Sequence, residues 1–264
     1  MSITVPSNWE KEETMPSLSA TETRVIVNPD YDTLCEYVAE RIADLVRVKP
    51  DAVLGLATGA TPIGVYAALV RRHREDRLDF SQVTCFNLDE YYPMSPNSPH
   101  SYRQFMRTHL FEHIKCRSWH IPDGRRTSIA DLDNVCAAYE DAIREAGGID
   151  LQLLGIGRTG HMGFNEPGSS LSTRTRVVTL DEVTRADAAP GFGGLNAVPA
   201  EAITMGIGTI LEARQLVMLA SGASKADVVR CMMTGTINDK LPASFIREHY
   251  NSVVCLDAPA AQLL

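Results

Sequence analysis

Residues 23–264 of the chain predict a single α/β domain built on a mostly parallel sheet, and three observations predict it. From Arg24 onward, short strand-like runs alternate with helix-like segments. The strand runs are continuously apolar (AVLGLA at 52–57, LQLLGI at 151–156, QLVMLA at 215–220), the pattern of strands covered on both faces. No internal repeat, low-complexity tract or linker divides the segment. Strands separated by helices pack as helix, sheet, helix.

The elements follow in order. Arg24–Val27 is a short β-branched strand. Leu34, Val38, Ile42 and Leu45 recur at helical spacing behind a start marked by Pro29-Asp30. Ala52–Ala57 is an apolar strand, and Thr61-Pro62 sets the start of a helix to Arg72. Val83–Leu88 is the next strand, and helices are expected around 99–114, 130–146 and 224–234. Leu151–Ile156, Gln215–Ala220 and Ser252–Leu256 complete the buried strands, with a weaker strand signal at 176–180. The predicted architecture is three-layer and doubly wound, with helices on both faces, and is Rossmann-like. Residues 1–22 are polar, with Pro6, Pro16 and the charged run Glu10 to Glu13, and read as a flexible extension.

Composition narrows the function. Lys plus Arg is 25 and Asp plus Glu 33, a net charge of −8, which disfavours a nucleic-acid partner because phosphate neutralisation needs clustered cations. No run approaches a membrane span, so no membrane partner is expected. No secretory signal opens the chain. The six cysteines (35, 85, 116, 136, 231 and 255) form no Cys-x-x-Cys pair and read as reduced thiols of a cytoplasmic protein.

Ligands of such folds bind at the carboxyl ends of strands, and three of these ends carry unusual residues. Thr58-Gly59-Ala60-Thr61-Pro62 joins a strand to a helix start. Small residues permit close backbone approach, and free N–H groups suit a phosphate; the plain alternative is a tight capped turn. Asn87-Leu88-Asp89-Glu90 puts two adjacent carboxylates at a strand end, either a cap with a solvated charge or a general base at Asp89. Gly155-Ile-Gly157-Arg158-Thr159-Gly160 fits G-x-G-x-x-G, with Asp181 placed as a ribose-binding acid would be. Residues 161–175 read as a loop, however, so a dinucleotide would lack its helix dipole. His161 and Glu166 on that loop look instead like an acid–base pair, the alternative being a histidine satisfied by backbone. His109, Glu112 and His113 fit a zinc-peptidase pattern, yet no third ligand is marked nearby. A structural helix carrying Phe105, Met106, Leu110 and Ile114 is the stronger reading.

Together these segments resemble the glucosamine-6-phosphate deaminase (isomerase) family. The resemblance is carried by Leu54–Pro62, Phe86–Tyr91, Ser101-Tyr102 through Phe105-Met106, Gly160–Pro167 and Ser221-Gly-Ala-Ser-Lys225-Ala226, in family order along nearly the whole chain beyond the extension. It implies conversion of glucosamine 6-phosphate and water to fructose 6-phosphate and ammonia in amino-sugar catabolism, without cofactor or metal. It implies His161 for ring opening, Glu166 as its carboxylate partner, Thr159 at the position of a relay residue, and Asp89 as the base moving a proton from C2 to C1. Phosphate would lie on Thr58, Gly59, Ala60 and Thr61 and pair with Lys225.

Three departures stand out. The family often has an acid where Thr159 stands. A phosphate-binding arginine of the family is replaced by Pro190, for which Arg158 or Arg185 is expected to compensate. Arg176 matches an activator-site position, but its usual basic neighbour is Val178 and the chain ends soon after Ala258-Pro259, so no activation by N-acetylglucosamine 6-phosphate is expected. The competing readings are a galactosamine-6-phosphate deaminase, a 6-phosphogluconolactonase-like enzyme, and a non-catalytic sugar-phosphate sensor. Whether the chain forms a homo-oligomer is left open by the sequence.

Overall fold

A computed structural model describes residues 23–125 and 128–264; the expected N-terminal extension, 1–22, lies outside the described residues. In chain order the elements are β1 (Arg24–Asn28), α1 (Tyr31–Val48), β2 (Val53–Leu56), α2 (Ile63–Glu75), β3 (Thr84–Asn87), β4 (Asp89–Tyr92), α3 (Tyr102–Met106), β5 (Ser118–His120), α4 (Ile129–Glu145), β6 (Leu151–Leu154), β7 (Arg176–Thr179), α5 (Glu182–Phe192), β8 (Glu201–Thr204), α6 (Ile207–Leu211), β9 (Leu216–Ala220), α7 (Ala226–Thr234), β10 (Ser252–Asp257) and α8 (Ala258–Ala261).

Seven strands form one parallel sheet in the order β1-β10-β9-β6-β2-β3-β5. Its apolar runs are explained by burial on both sides. Val217, Leu219, Val253 and Cys255 pack with Leu34, Val38 and Ile42 of α1 and Val65 and Leu69 of α2. The alternate residues, Leu216, Met218, Val254 and Leu256, pack with Tyr139 and Ile143 of α4, Ile207 and Ile210 of α6 and Val229 and Met232 of α7. Period-2 alternation therefore feeds two cores, and the doubly wound three-layer prediction holds.

Helix ends follow local chemistry. The Asp30 carboxylate accepts from Thr33 N at 2.7 Å and starts α1. Asp181 accepts from Val183 N at 2.8 Å and starts α5, which ends at Gly193 with φ 78°. The predicted helix over 99–114 is α3 running on into a π-helical turn, Arg107–Phe111.

The difference from expectation is a second sheet. Strands β4, β8 and β7 pair antiparallel, with Asp89 opposite Thr204 and Arg176 also opposite Thr204. The chain leaves the parallel sheet at Asn87 and enters this one at Asp89, so Asp89 opens a strand as well as following one. The sequence DEYY of β4 gives no apolar run, because its faces meet a polar cavity and a helix start. Helix α5 is also absent from the expected elements; it accommodates Pro190 in its last turn.

Gly206 and Gly191 give a paired test. A Cβ at Gly206 would collide with the backbone of Thr173 and Arg174, which cannot rotate away, whereas one at Gly191 meets open space. Gly206→Ala is expected to lower stability by about 1–3 kcal/mol or more through overpacking. Gly191→Ala is expected to raise it by up to about 1 kcal/mol through helix propensity. Urea unfolding midpoints of the two variants check both signs.

Candidate active site

The winding of the sheet reverses between β2 and β6. From β2 the chain adds β3 and β5 on one side, while β6, β9, β10 and β1 lie on the other. The connections leaving β2 and β6 therefore diverge and open a crevice beyond the strand ends. A cavity of about 450 Å³ occupies it, a volume suited to a small molecule. Thr58, Gly59, Ala60, Thr61, Asp89, His161 and Lys225 all line it, with Arg158, Thr184, Asp187, Tyr91 and Tyr102.

The connection after β2 is held open. Gly59 takes φ 101°, a conformation costly for any side chain. The Tyr31 hydroxyl donates to Thr61 O at 2.9 Å and accepts from Gly64 N at 3.0 Å, tying α1 to this loop. Pro62, the residue preceding α2, makes no side-chain cap bond. The first amides of α2 are nevertheless engaged, Ile63 N by Ala60 O and Gly64 N by the Tyr31 hydroxyl, so it is the 58–61 loop ahead of the positive helix end that lines the cavity.

The connection after β6 carries the histidine. Glu166 Oε2 accepts from Thr159 Oγ1 at 2.9 Å, and Glu166 Oε1 accepts from Thr184 Oγ1 at 2.6 Å. With both hydroxyl protons committed to Glu166, the oxygen atoms around His161 Nδ1 are acceptors. These are Thr159 Oγ1 at 2.8 Å, Glu166 Oε2 at 3.2 Å and Thr184 Oγ1 at 3.4 Å. The proton of a neutral imidazole is therefore assigned to Nδ1, leaving the Nε2 lone pair free. Burial works against ionisation of Glu166, but the hydrogen bonds and charge of His161 and the bonds from Thr184 and Thr159 outweigh it and hold its carboxyl below the ordinary value. Thr184, from the first turn of α5, has no sequence signal and completes a network in which Thr159 takes the relay position.

The same loop is pinned from behind. Asn165 Nδ2 donates to Met162 O at 2.9 Å and Met205 O at 2.8 Å, and its Oδ1 accepts from Arg176 Nη1 at 2.8 Å. Arg176, matched to an activator site by resemblance, thus braces the histidine loop. Gly163, with φ 56°, lets the loop pass Asp89: a Cβ there would lie 3.2 Å from Asp89 Oδ2.

Asp89 and Glu90 point opposite ways, as neighbours on a strand must. Asp89 is 4% exposed and faces the cavity; burial and then the charge of Glu90 push its carboxyl well above the ordinary range. Glu90 faces away and accepts from Tyr91 N and Tyr102 N at 2.9 Å and Arg103 N at 3.0 Å, capping the start of α3. Burial nevertheless pushes it up to about 7.

Lys225 Nζ donates to Ile156 O at 2.8 Å, which fixes the ammonium at the cavity wall, and burial lowers its pKa. Of the two arginines expected to compensate for Pro190, only Arg158 lines the cavity, paired with Asp187 at 2.8 Å. Arg185 donates instead to Val198 O at 3.2 Å and Leu195 O at 3.3 Å, so that part of the expectation is corrected. In the zinc-like pattern, both ring nitrogens of His113 are engaged, by Arg74 and by Thr108 O. Among the described residues, no group of three His, Cys, Asp or Glu is placed to hold a metal.

Residues 31–255 match the family model described as glucosamine-6-phosphate isomerases/6-phosphogluconolactonase. The chain is 48% identical to a glucosamine-6-phosphate deaminase of Bacillus velezensis, over 90% of this chain and 98% of that one. It is 47% identical to glucosamine-6-phosphate deaminase 2 of Bacillus subtilis, over 91% and 97%. Among solved structures it is similar to a monomeric glucosamine-6-phosphate deaminase, with TM-score 0.88 at 43% identity, covering 92% of this chain and all of that one. A 6-phosphogluconolactonase of Trypanosoma brucei shares the fold, with TM-score 0.74 at 22% identity over 92% of this chain and 99% of that one. On this extent of match, the chain belongs to the glucosamine-6-phosphate isomerase/6-phosphogluconolactonase family.

Proposed function

We propose that the chain is a glucosamine-6-phosphate deaminase, converting glucosamine 6-phosphate and water to fructose 6-phosphate and ammonia in the cytoplasm. The observation that carries this reading is one cavity lined by Asp89, by a His161 whose tautomer is fixed, and by the amide-rich loop 58–61 with Lys225. Among the described residues no helix is long and apolar enough to cross a membrane.

Each group has a step. The sugar phosphate rests on the amides of Thr58 to Thr61 and on the Lys225 ammonium. His161 Nε2 takes the proton of the anomeric hydroxyl and returns it to the ring oxygen, opening the pyranose. Glu166, with Thr159 and Thr184, stabilises the imidazolium formed in between. Ionised Asp89 then removes the proton from C2, made acidic by the neighbouring ammonium, while one ammonium proton passes to the C1 oxygen to give an enolamine; Asp89 returns its proton to C1, leaving a C1 hydroxymethyl group and a protonated C2 imine. Water adds to the resulting C2 imine and ammonia leaves.

The deciding assay is ammonia release with glucosamine 6-phosphate beside galactosamine 6-phosphate and 6-phosphogluconolactone. Release from glucosamine 6-phosphate is expected, and none from either amino sugar would sink the assignment. Asp89→Asn should lower ammonia release by at least about 10²-fold, the share of a positioned general base, while NMR exchange of the substrate anomers persists. A lactonase would instead keep its hydrolysis in this variant.

The pH profile follows from the carboxylates. Asp89 must be ionised to act, and burial and Glu90 both oppose that ionisation. The acidic limb of kcat is therefore expected above the usual carboxylate range. Glu90→Gln removes the repelling charge, so Asp89 ionises more readily and the limb should move to lower pH by a few tenths to about one unit. A limb that stays in place or moves upward contradicts this coupling.

A further inference from the structure

The anion end of the cavity contains a carboxylate that the mechanism does not use. Asp187 projects from α5 and lines the cavity with Lys225, Arg158 and the 58–61 loop. An acid here is unexpected on electrostatic grounds, because a phosphate dianion entering beside it would be repelled. Its Oδ1 accepts from Arg158 Nη1 at 2.8 Å, bridging the connection after β6 to α5. Lys225 lies within the field of both: beyond the larger effect of burial, Asp187 raises its pKa and Arg158 lowers it.

The three charges differ in mobility. The Lys225 ammonium is fixed on Ile156 O and half-buried. Arg158 and Asp187 keep 61% and 42% of their side-chain surface exposed, so their pair is of the solvated, weakly held kind. A guanidinium gains more from a doubly charged phosphate, which it meets with two parallel N–H···O bonds, than from one half-solvated carboxylate.

We propose that Arg158 and Asp187 form an exchangeable latch, in which Asp187 holds Arg158 at the cavity wall until a substrate phosphate displaces it. This deepens the function proposed above and rests on it for the identity of the substrate. Asp187 acts through Arg158 as a positioning residue. An uncharged sugar meets Arg158 already paired, whereas a sugar phosphate takes it from Asp187, so the latch sets affinity and discriminates for the phosphorylated ligand.

The test is calorimetric titration of the whole protein with inorganic phosphate at neutral pH and low salt. Arg158→Gln should weaken phosphate binding by about tenfold, the loss of a charge-assisted contact. Asp187→Asn should tighten it about threefold to fivefold, the share of a surface ion pair that phosphate no longer has to break. Asp187→Glu, which restores a carboxylate, should return affinity toward the starting value. In the Arg158→Gln background, Asp187→Asn should tighten binding clearly less than it does with Arg158 in place, because only the solvent-screened repulsion of phosphate by Asp187 is left to relieve. The latch is overturned if Asp187→Asn leaves affinity unchanged or weakens it, or if it tightens binding equally in both backgrounds, which would mean direct repulsion of phosphate by Asp187. It is also overturned if Arg158→Gln has no effect. Both side chains are well exposed, so substitutions there are expected to leave folding close to unchanged, and a melting curve of each variant verifies it. The titration reads no turnover. A failed latch and a failed deaminase assignment are therefore separate results.

Discussion

The reversal of winding between β2 and β6 is the constraint from which the site follows. Parallel strands need crossover helices on both faces, and a chain that grows outward in two directions must leave a gap where the directions part. Here the gap lies between the connections leaving Leu56 and Leu154. Backbone there is freed from the sheet ladder while staying anchored to buried strands on either side. One connection brings the 58–61 loop to the cavity, the other a histidine braced by a carboxylate. Rigid strands thus hold loop chemistry in fixed relation, which accounts for Asp89, His161, Lys225 and the 58–61 loop sharing one cavity.

Two carboxylates, Asp89 on the cavity wall and Glu166 behind His161, behave oppositely because their surroundings differ. Glu166 is half-buried yet accepts from two hydroxyls and an imidazole, so it stays ionised and orients His161. Asp89 is buried beside a second acid, so its charged form is disfavoured and its proton affinity rises. The first environment suits a fixed negative charge and the second suits a group that must take a proton and return it. Neither environment comes from the residue alone. Thr184 reaches Glu166 from α5, and Glu90 bears on Asp89 as its immediate neighbour along β4, buried with it.

The second sheet gives α5 its place. Strands β4, β8 and β7 carry Tyr91, Ala202 and Val178 into a small cluster with Phe164 and Leu180, against which Ala188, Ala189 and Phe192 of α5 pack. That packing brings Thr184 and Asp187 to the cavity and leaves Arg185 on the far side, bonded to backbone carbonyls. The same short strands explain why this part of the molecule is hard to read in advance. A four-residue strand such as DEYY, with one face on a polar cavity, shows no hydrophobic period.

By itself, the sequence determined the layered parallel sheet, because continuous apolar runs such as those at 151–156 and 215–220 can only be satisfied by burial on both faces. It also marked the strand ends with chemistry, since Gly59, Asp89, His161 and Glu166 stand where element boundaries predict ligand contact. Tertiary structure alone decided which residues meet. Thr184, Asp187 and Glu90 act through neighbours 18, 29 and 12 positions away, respectively Glu166, Arg158 and Tyr102. Such pairings depend on how α5 and the second sheet dock, and docking is set by packing over the whole surface rather than by any local pattern. Between Arg158 and Arg185, both plausible by charge, only the fold could choose, because it turns one toward the cavity and the other toward Val198.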